Sequence, residues 1–276
     1  MRLSLFQMTS TDRPSENLAV VLRAMEQAQD SDLFLTPEVT NCVSLSRGHQ
    51  DTVLEPGARN TFITVVQNQA KALNLWTLLG SVAIKTTDSD GRFANRSVLI
   101  SDVGRIVQWY DKLHMFDVSL SDRETYRESN GYQPGGRAVC VETDYATLGL
   151  TICYDVRFPY VFRDLAQTGA QIITVPSAFA VPTGQAHWEI LLRARAIETG
   201  CFIVAPAQTG THPGSGRKTF GHSMVVAPWG DIILDAGTEP GIWTVDIDLA
   251  QVDTARGRVP SFSCDRPYQM TTERLD

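Results

Sequence analysis

In GLTICYDVRFPY (149–160), Cys153 closes an apolar run and precedes a pattern that reads as a helix. A strand end lifts a side chain clear of its sheet. A following helix N-terminus aims unpaired N–H groups and a partial positive charge at the same spot. Such a place favours a thiolate and any anion formed beside it. Cys153 is therefore a candidate nucleophile, although a free cysteine also serves as a small buried hydrophobe. A weakly acidic thiol needs a base. Glu38, after Pro37 at the end of another short apolar run, is a candidate; taken alone it also reads as a solvated loop carboxylate. Lys112, in WYDKLHMFD, lies just past a third run, and by itself reads as a surface lysine. Glu128, in YRESN, sits in a polar stretch where a lone acid signals little. Taken together, an acid, an ammonium and a thiol at strand ends fit the place where α/β sheets build their sites.

The elements that must hold these residues follow from periodicity. Alternation predicts strands over 3–7, 33–35 and 76–84, and a hairpin of 97–100 with 106–110. Helical spacing of Leu18, Val21, Leu22, Met25 and Ala28, and of Phe62, Val65, Val66, Ala70 and Leu73, predicts two amphipathic helices. Residues 113–136 read as one long irregular segment, of a length that is usually functional or disordered. Strands are expected over 139–141, 148–152, 172–175, 201–205, 223–226, 232–234 and 242–247. Helices are expected over 157–167 and 185–199, stopped by Gly169 and Gly200. Alternating strands and helices imply a layered α/β fold. One internal echo stands out: LFLTPEV (33–39) is similar to IITVPSA (172–178), and both are β runs broken by proline.

The chain has 276 residues, 43% of them hydrophobic, which suffices for a sizeable core. A single domain is expected over 1–276, with a core over about 1–248 and a C-terminal extension over about 249–276. Net charge is −7 with no basic block, which argues against nucleic acid as a partner. The five cysteines include no C-x-x-C pair, which argues against a zinc knuckle or a redox pair. No carboxylate or histidine spacing suggests a metal site, and no cofactor is expected. Five widely spaced thiols, no signal-peptide core and no membrane-length apolar run predict a soluble, cytoplasmic protein without a membrane partner.

TPE at Glu38, YDKLHMFD at Lys112, RESN at Glu128 and CYDVRFP at Cys153 resemble the signature blocks of the nitrilase superfamily of carbon–nitrogen hydrolases. GQAHWEILLRARAIET (184–199) and GHSMVVAPWG (221–230) resemble further blocks, so the likeness spans 3 to about 248. It implies a four-layer α-β-β-α sandwich and a Glu38–Lys112–Cys153 triad. In that reading Glu38 is the base and Cys153 forms a thioester. Lys112 and the backbone N–H of Tyr154 make the oxyanion hole, while Glu128 holds Lys112 and helps orient substrate. Two carboxylates in a partly dry pocket repel each other, which raises their pKa values, and Lys112 offsets this.

Other residues carry structural readings first. Asp155 and Arg157 are expected to form a network shaping the nucleophile turn. His114 and His187 suggest a Cys–His pair, but packing or hydrogen bonding is expected of His187. Asn95, in FANRSVLI, resembles a structural position near the lysine. Trp188, Arg193 and Arg195 lie where the family builds pocket and subunit contact.

True nitrilases follow the cysteine with Trp-Glu; Tyr154-Asp155 here favours an amide over a nitrile. RESN followed by QPG is similar to deaminated glutathione amidases, which resemble ω-amidases acting on α-ketoglutaramate. The implied reaction splits an anionic 2-oxo acid amide into a carboxylate and ammonia. Arg127, Arg157, Arg163, Phe179, Thr183 and the rest of the 179–184 loop are candidate substrate anchors. A sibling nitrilase or N-carbamoyl amidohydrolase, and a catalytically silent binding protein on the same fold, are the alternatives. The resemblance also implies a homodimer or higher homo-oligomer, packed through the helix after Cys153 and the 185–199 helix. Pro260, Arg266, Pro267 and Tyr268 keep part of a tail that in relatives often wraps the partner subunit.

Overall fold

Alternation along the early strands separates two cores. Strand β1 (Arg2–Gln7) is followed by helix α1 (Pro14–Gln27) and strand β2 (Leu33–Leu35). Helices α2 (Arg47–Val53) and α3 (Thr61–Leu73) precede β3 (Trp76–Lys85), β4 (Phe93–Ile100) and β5 (Ile106–Asp111). Leu3, Leu5, Leu33, Leu35 and Leu78 share one core with residues of a second sheet. Phe6, Phe34 and Leu79, one step out of phase, pack instead with Val21 and Met25 of α1 and Phe62, Ile63 and Val66 of α3. Successive side chains on a strand face opposite ways, so one sheet can serve both cores. The computed structural model describes residues 1–87, 90–121, 124–261 and 264–272.

Beyond β5 the chain adds β6 (Asp117–Ser121), β7 (Glu124–Arg127), β8 (Val139–Glu142) and β9 (Thr147–Leu150). Helix α4 (Pro159–Gln167), β10 (Ile172–Thr174), α5 (Val181–Thr199) and β11 (Phe202–Ala205) follow. Last come β12 (Thr209–Thr211), β13 (Lys218–Phe220), β14 (Met224–Val226), β15 (Ile232–Asp235), β16 (Gly241–Asp246) and α6 (Ala250–Arg258).

One six-stranded sheet runs β16-β1-β2-β3-β4-β5 and the other β8-β9-β10-β11-β14-β15. In each, three parallel strands occupy the second to fourth places. Antiparallel strands flank them identically. The sequence echo falls on the equivalent strands β2 and β10, so the halves repeat one strand pattern. A Cβ on Gly149 would meet Leu165 of α4, which turns Leu148 and Leu150 of β9 towards the first sheet. The layers are helices, sheet, sheet, helices: the expected α-β-β-α sandwich.

The two proline-broken strand ends meet over Gly80. A Cβ there would lie 1.9 Å from the Thr36 carbonyl oxygen, 2.7 Å from that of Pro37 and 2.5 Å from Pro176 Cβ. Only glycine permits this approach, which brings the Glu38 corner against the segment leading to Ala178.

Several expectations need correction. Residues 113–136 are not structureless: β6 and β7 form a hairpin, and Glu128–Asn130 a 3₁₀ turn. Asp122 and Arg123, also in that stretch, lie outside the described residues. The 157–167 helix begins at Pro159, because Cys153–Arg157 is a 3₁₀ turn and Phe158 leaves helical geometry before it. The 185–199 helix begins at Val181, with Pro182 in its first turn, where a missing N–H costs nothing. Residues 181–184 are therefore helix rather than loop. In the C-terminal extension α6 docks through Val252 into the main core. Of that extension, 262, 263 and 273–276 lie outside the described residues. All five cysteines are free thiols, and among the described residues no helix is long and apolar enough to cross a membrane.

Candidate active site

The strand ends of both sheets converge on a cavity of about 360 Å³ lined by Glu38, Lys112, Glu128 and Cys153, among others. Glu38 follows β2, Lys112 follows β5, Glu128 follows the β6–β7 hairpin, and Cys153 opens the turn after β9. Lys112 is 2% exposed and its Nζ lies between two carboxylates. It donates to Glu38 Oε1 at 2.8 Å and to Glu128 Oε1 and Oε2 at 3.0 and 2.8 Å. Backbone N–H groups hold both carboxylates as well. Glu38 Oε2 accepts from the Ala178 N–H at 2.8 Å, and Glu128 Oε2 from the Phe116 N–H at 2.6 Å. Asn95 Nδ2 donates to Glu38 Oε1 at 2.9 Å and to Glu128 Oε1 at 3.3 Å. Asn95 thus belongs to the cluster itself rather than to its surroundings.

Electrostatics sets the resting protonation. Burial alone raises the pKa of Glu38, but the Lys112 charge, its hydrogen bond and a hydrogen bond from Cys153 outweigh it. Glu38 ends below the usual carboxylate range. The expected rise from carboxylate repulsion therefore does not appear at Glu38, because the ammonium lies between the two acids. Burial also disfavours charge on Lys112, yet Glu128 first and then Glu38 push its pKa well above the ordinary value. For Cys153, burial and then the Glu38 charge raise the pKa strongly, and Lys112 only partly opposes them. This reverses the thiolate-favouring environment expected at the junction. The helix there starts six residues later, and desolvation dominates. The resting site holds a neutral thiol and an ionised carboxylate.

The turn bearing Cys153 is strained and braced. Cys153 has φ of +49°, a left-handed backbone unusual for a residue with a Cβ. Its N–H donates to the Pro176 carbonyl at 3.0 Å. Buried Asp155 anchors the turn. It accepts from the Ile152 N–H at 2.8 Å, the Tyr110 hydroxyl at 2.6 Å and the His114 N–H at 3.1 Å, and pairs with His114 Nδ1 at 2.7 Å. Arg195 Nε donates to the Val156 carbonyl at 2.8 Å. His114 serves this brace and stacks on Phe158 at 3.5 Å. His187 is exposed, with Nδ1 3.3 Å from Arg157 Nη2.

The predicted anchors divide. Arg127 and Phe179 line the cavity, as does Tyr154, expected at the oxyanion hole; Arg157, Arg163 and Thr183 are not among its lining residues. Arg157 lies over the Tyr154 and Phe179 rings and takes no part in the Asp155 network. Arg163 pairs with Asp265 of the tail. Thr183 turns its hydroxyl to the Ala180 carbonyl at 3.1 Å, inside the first turn of α5. Trp188 packs its ring on Phe179 at 4.8 Å, and Arg193 donates to the Gly230 carbonyl at 2.9 Å. Arg47 and Arg217 also line the cavity and carried no signal in the sequence. Among the described residues no group of three or more His, Cys, Asp or Glu is placed to hold a metal ion.

Residues 2–257 match the family model described as carbon–nitrogen hydrolase. The chain belongs to the carbon–nitrogen hydrolase family and is a hydrolase acting on amides. Among its relatives, a deaminated glutathione amidase of Yersinia enterocolitica is 36% identical over 99% of this chain and 96% of its own length. The C. elegans NitFhit structure superposes with a TM-score of 0.87 at 33% identity, over 96% of this chain and 65% of that longer one. Saccharomyces cerevisiae Nit3, a member of branch 10 of the nitrilase superfamily, gives 0.82 at 26% identity over 94% of both chains. These likenesses place the chain in the Nit branch.

Proposed function

We propose that the protein hydrolyses the amide of a small anionic 2-oxo acid, deaminated glutathione first, through a Cys153 thioester. The supporting observation is charge. Arg47, Lys112, Arg127 and Arg217 line a cavity whose carboxylates are Glu38 and Glu128, a local cationic excess in a chain of net charge −7. A cavity of about 360 Å³ lies within the range of small-ligand pockets, with room for a tripeptide-sized substrate.

Glu38, ionised at rest, takes the Cys153 proton as sulfur bonds to the amide carbon. The oxygen of the tetrahedral intermediate draws on Lys112 and the Tyr154 N–H. Glu38 returns its proton to the departing nitrogen, and the C–N bond breaks. Water then gives a proton to Glu38 and attacks the thioester; the C–S bond breaks and sulfur recovers the proton. The amine released follows from the substrate: cysteinylglycine from deaminated glutathione, and ammonia only from an unsubstituted amide such as α-ketoglutaramate. Glu128 keeps Lys112 charged and in place.

A panel of deaminated glutathione, α-ketoglutaramate, an aliphatic nitrile and an N-carbamoyl amino acid tests the reading. Preference for the nitrile or ureido compound would overturn it, and no turnover of any would favour a silent binding protein. The resting pair also sets a pH dependence. Glu38 must be ionised and Cys153 protonated. Glu38 titrates below its ordinary 4.5 and Cys153 above its ordinary 9.0. The value of kcat/KM is expected to stay level between these limits; a steep limb near neutrality would contradict the assignment. A homodimer through α4 and α5 belongs to the same proposal. Tyr160, Ile190 and Ile197 of those helices are 56%, 68% and 57% exposed. Light scattering should give twice the chain mass, and a monomer would remove the pairing.

A further inference from the structure

The geometry points to Arg217 as the residue that binds the carboxylate on the acyl half of the substrate. The inference rests on the proposed function, whose substrate is an anion. Three arginines line the cavity, and they differ in what already occupies them. Arg47 donates to the Gly131 carbonyl at 2.8 Å and to the Gly91 carbonyl, pairs with Asp51 and lies 3.5 Å over the Phe93 ring. Arg127 is spent on its own hairpin, donating to the carbonyls of Val118 and Tyr126 and to Ser119 Oγ. Arg217 donates through Nη2 to the Ala178 carbonyl at 2.6 Å, while its Nε is buried with no hydrogen-bond partner among the described residues. A guanidinium offers five N–H donors, and leaving a buried donor unpaired is costly. A bound carboxylate would satisfy it.

The placement explains why this end of the substrate is the one read. Ala178 presents its N–H to Glu38 and its carbonyl to Arg217, so one residue ties the base and the arginine together. The Arg217 charge also helps keep Glu38 ionised. The carrier is firmly docked. The Phe220 N–H donates to the Phe179 carbonyl at 3.0 Å, and the His212 N–H to the Arg217 carbonyl at 2.8 Å. Buried His212 pins the β12–β13 hairpin through the Ser10 carbonyl at 2.9 Å and Thr219 Oγ1 at 2.8 Å. The Tyr126 ring, 5.7 Å from the guanidinium carbon, backs it from the other hairpin. An arginine held through Nη2 and unpaired at Nε suits a carboxylate better than a lysine would.

The test compares α-ketoglutaramate with pentanamide, an amide of the same carbon number without a carboxylate. Arg217→Ala is expected to lower the ratio of kcat/KM values, anionic over neutral, by at least about 30-fold. The loss should fall mainly on KM, and Arg217→Lys should recover part of it. Calorimetric titration with 2-oxoglutarate should weaken by a similar factor. An unchanged ratio overturns the anchor, because a folding defect lowers both amides alike. A wild type that prefers α-ketoglutaramate, with Arg217→Ala keeping the preference, sinks the anchor alone. A wild type with no preference sinks the anchor and the functional reading together.

Discussion

Cys153→Ala is expected to lower amide hydrolysis by at least about 10⁴-fold in kcat with the fold retained, since a covalent mechanism has no bypass once its nucleophile is gone. Cys42 lines the same cavity but is no substitute. Its thiol contacts the Asp12 carbonyl at 3.5 Å, and burial raises its pKa to about 12. Acid-quenched wild type mixed with substrate should carry an acyl mass on Cys153; the variant should carry none. Hydrolysis within about 10²-fold of wild type would refute the thioester route. The fold survives because the protonated thiol acts as a small apolar group. Linkage adds a second reading. The folded pKa of Cys153 lies above its unfolded value, so its contribution to stability is present below pH 9.0 and lost as pH rises beyond it. The variant lacks that loss. Its urea midpoint should gain on the wild type's between pH 7 and pH 10.

Much of this arrangement was legible in the residues, for reasons that differ from element to element. The 33–35 strand declares itself because it is apolar on both faces and cut by proline, as is 172–174. The β6–β7 hairpin did not, because among the described residues DVSLS and ETYR pair only with each other, and 117–120 and 125–127 alternate between exposed and half-buried with none buried. Helix α2, RGHQDTV, has one buried residue, Gln50, so helical periodicity had nothing to report. Glu128 and Lys112 gained meaning from family resemblance, not from spacing. Arg217 lies in THPGSGRKTF, a glycine-rich stretch whose local reading is a turn. It acquires its place only when β13 docks beside 179–180, some 40 residues away in sequence. The direction of the Cys153 shift was equally hidden. A strand-to-helix junction is local, but desolvation depends on everything packed around it.

Glu38→Gln should lower kcat by about 10³-fold, the scale of losing a positioned general base, with KM less affected. The substitution is milder than loss of the ammonium. Lys112 keeps both oxygens of Glu128 at 2.8 and 3.0 Å, and a glutamine oxygen can still accept from the Ala178 N–H, although its NH2 then faces the Lys112 and Asn95 donors and must turn aside. Lys112→Met is the harsher change, because it strands the buried Glu38 and half-buried Glu128 carboxylates around Asn95 Nδ2. Breaking such a buried pairing typically costs about 3–5 kcal/mol. The glutamine variant therefore isolates chemistry from folding, and its pH profile is the sharper test. The Glu38 charge is one of the causes raising the Cys153 pKa, and Lys112 opposes it. Neutralising Glu38 leaves burial alone to oppose Lys112 and brings the thiol pKa down. With no base to take the proton during attack, the variant must wait for a thiolate formed in advance. Its residual kcat/KM should climb about tenfold per pH unit on the acid side of the thiol pKa, where the wild type stays level. A flat residual rate across the same range would mean that Glu38 holds the site together without moving the proton.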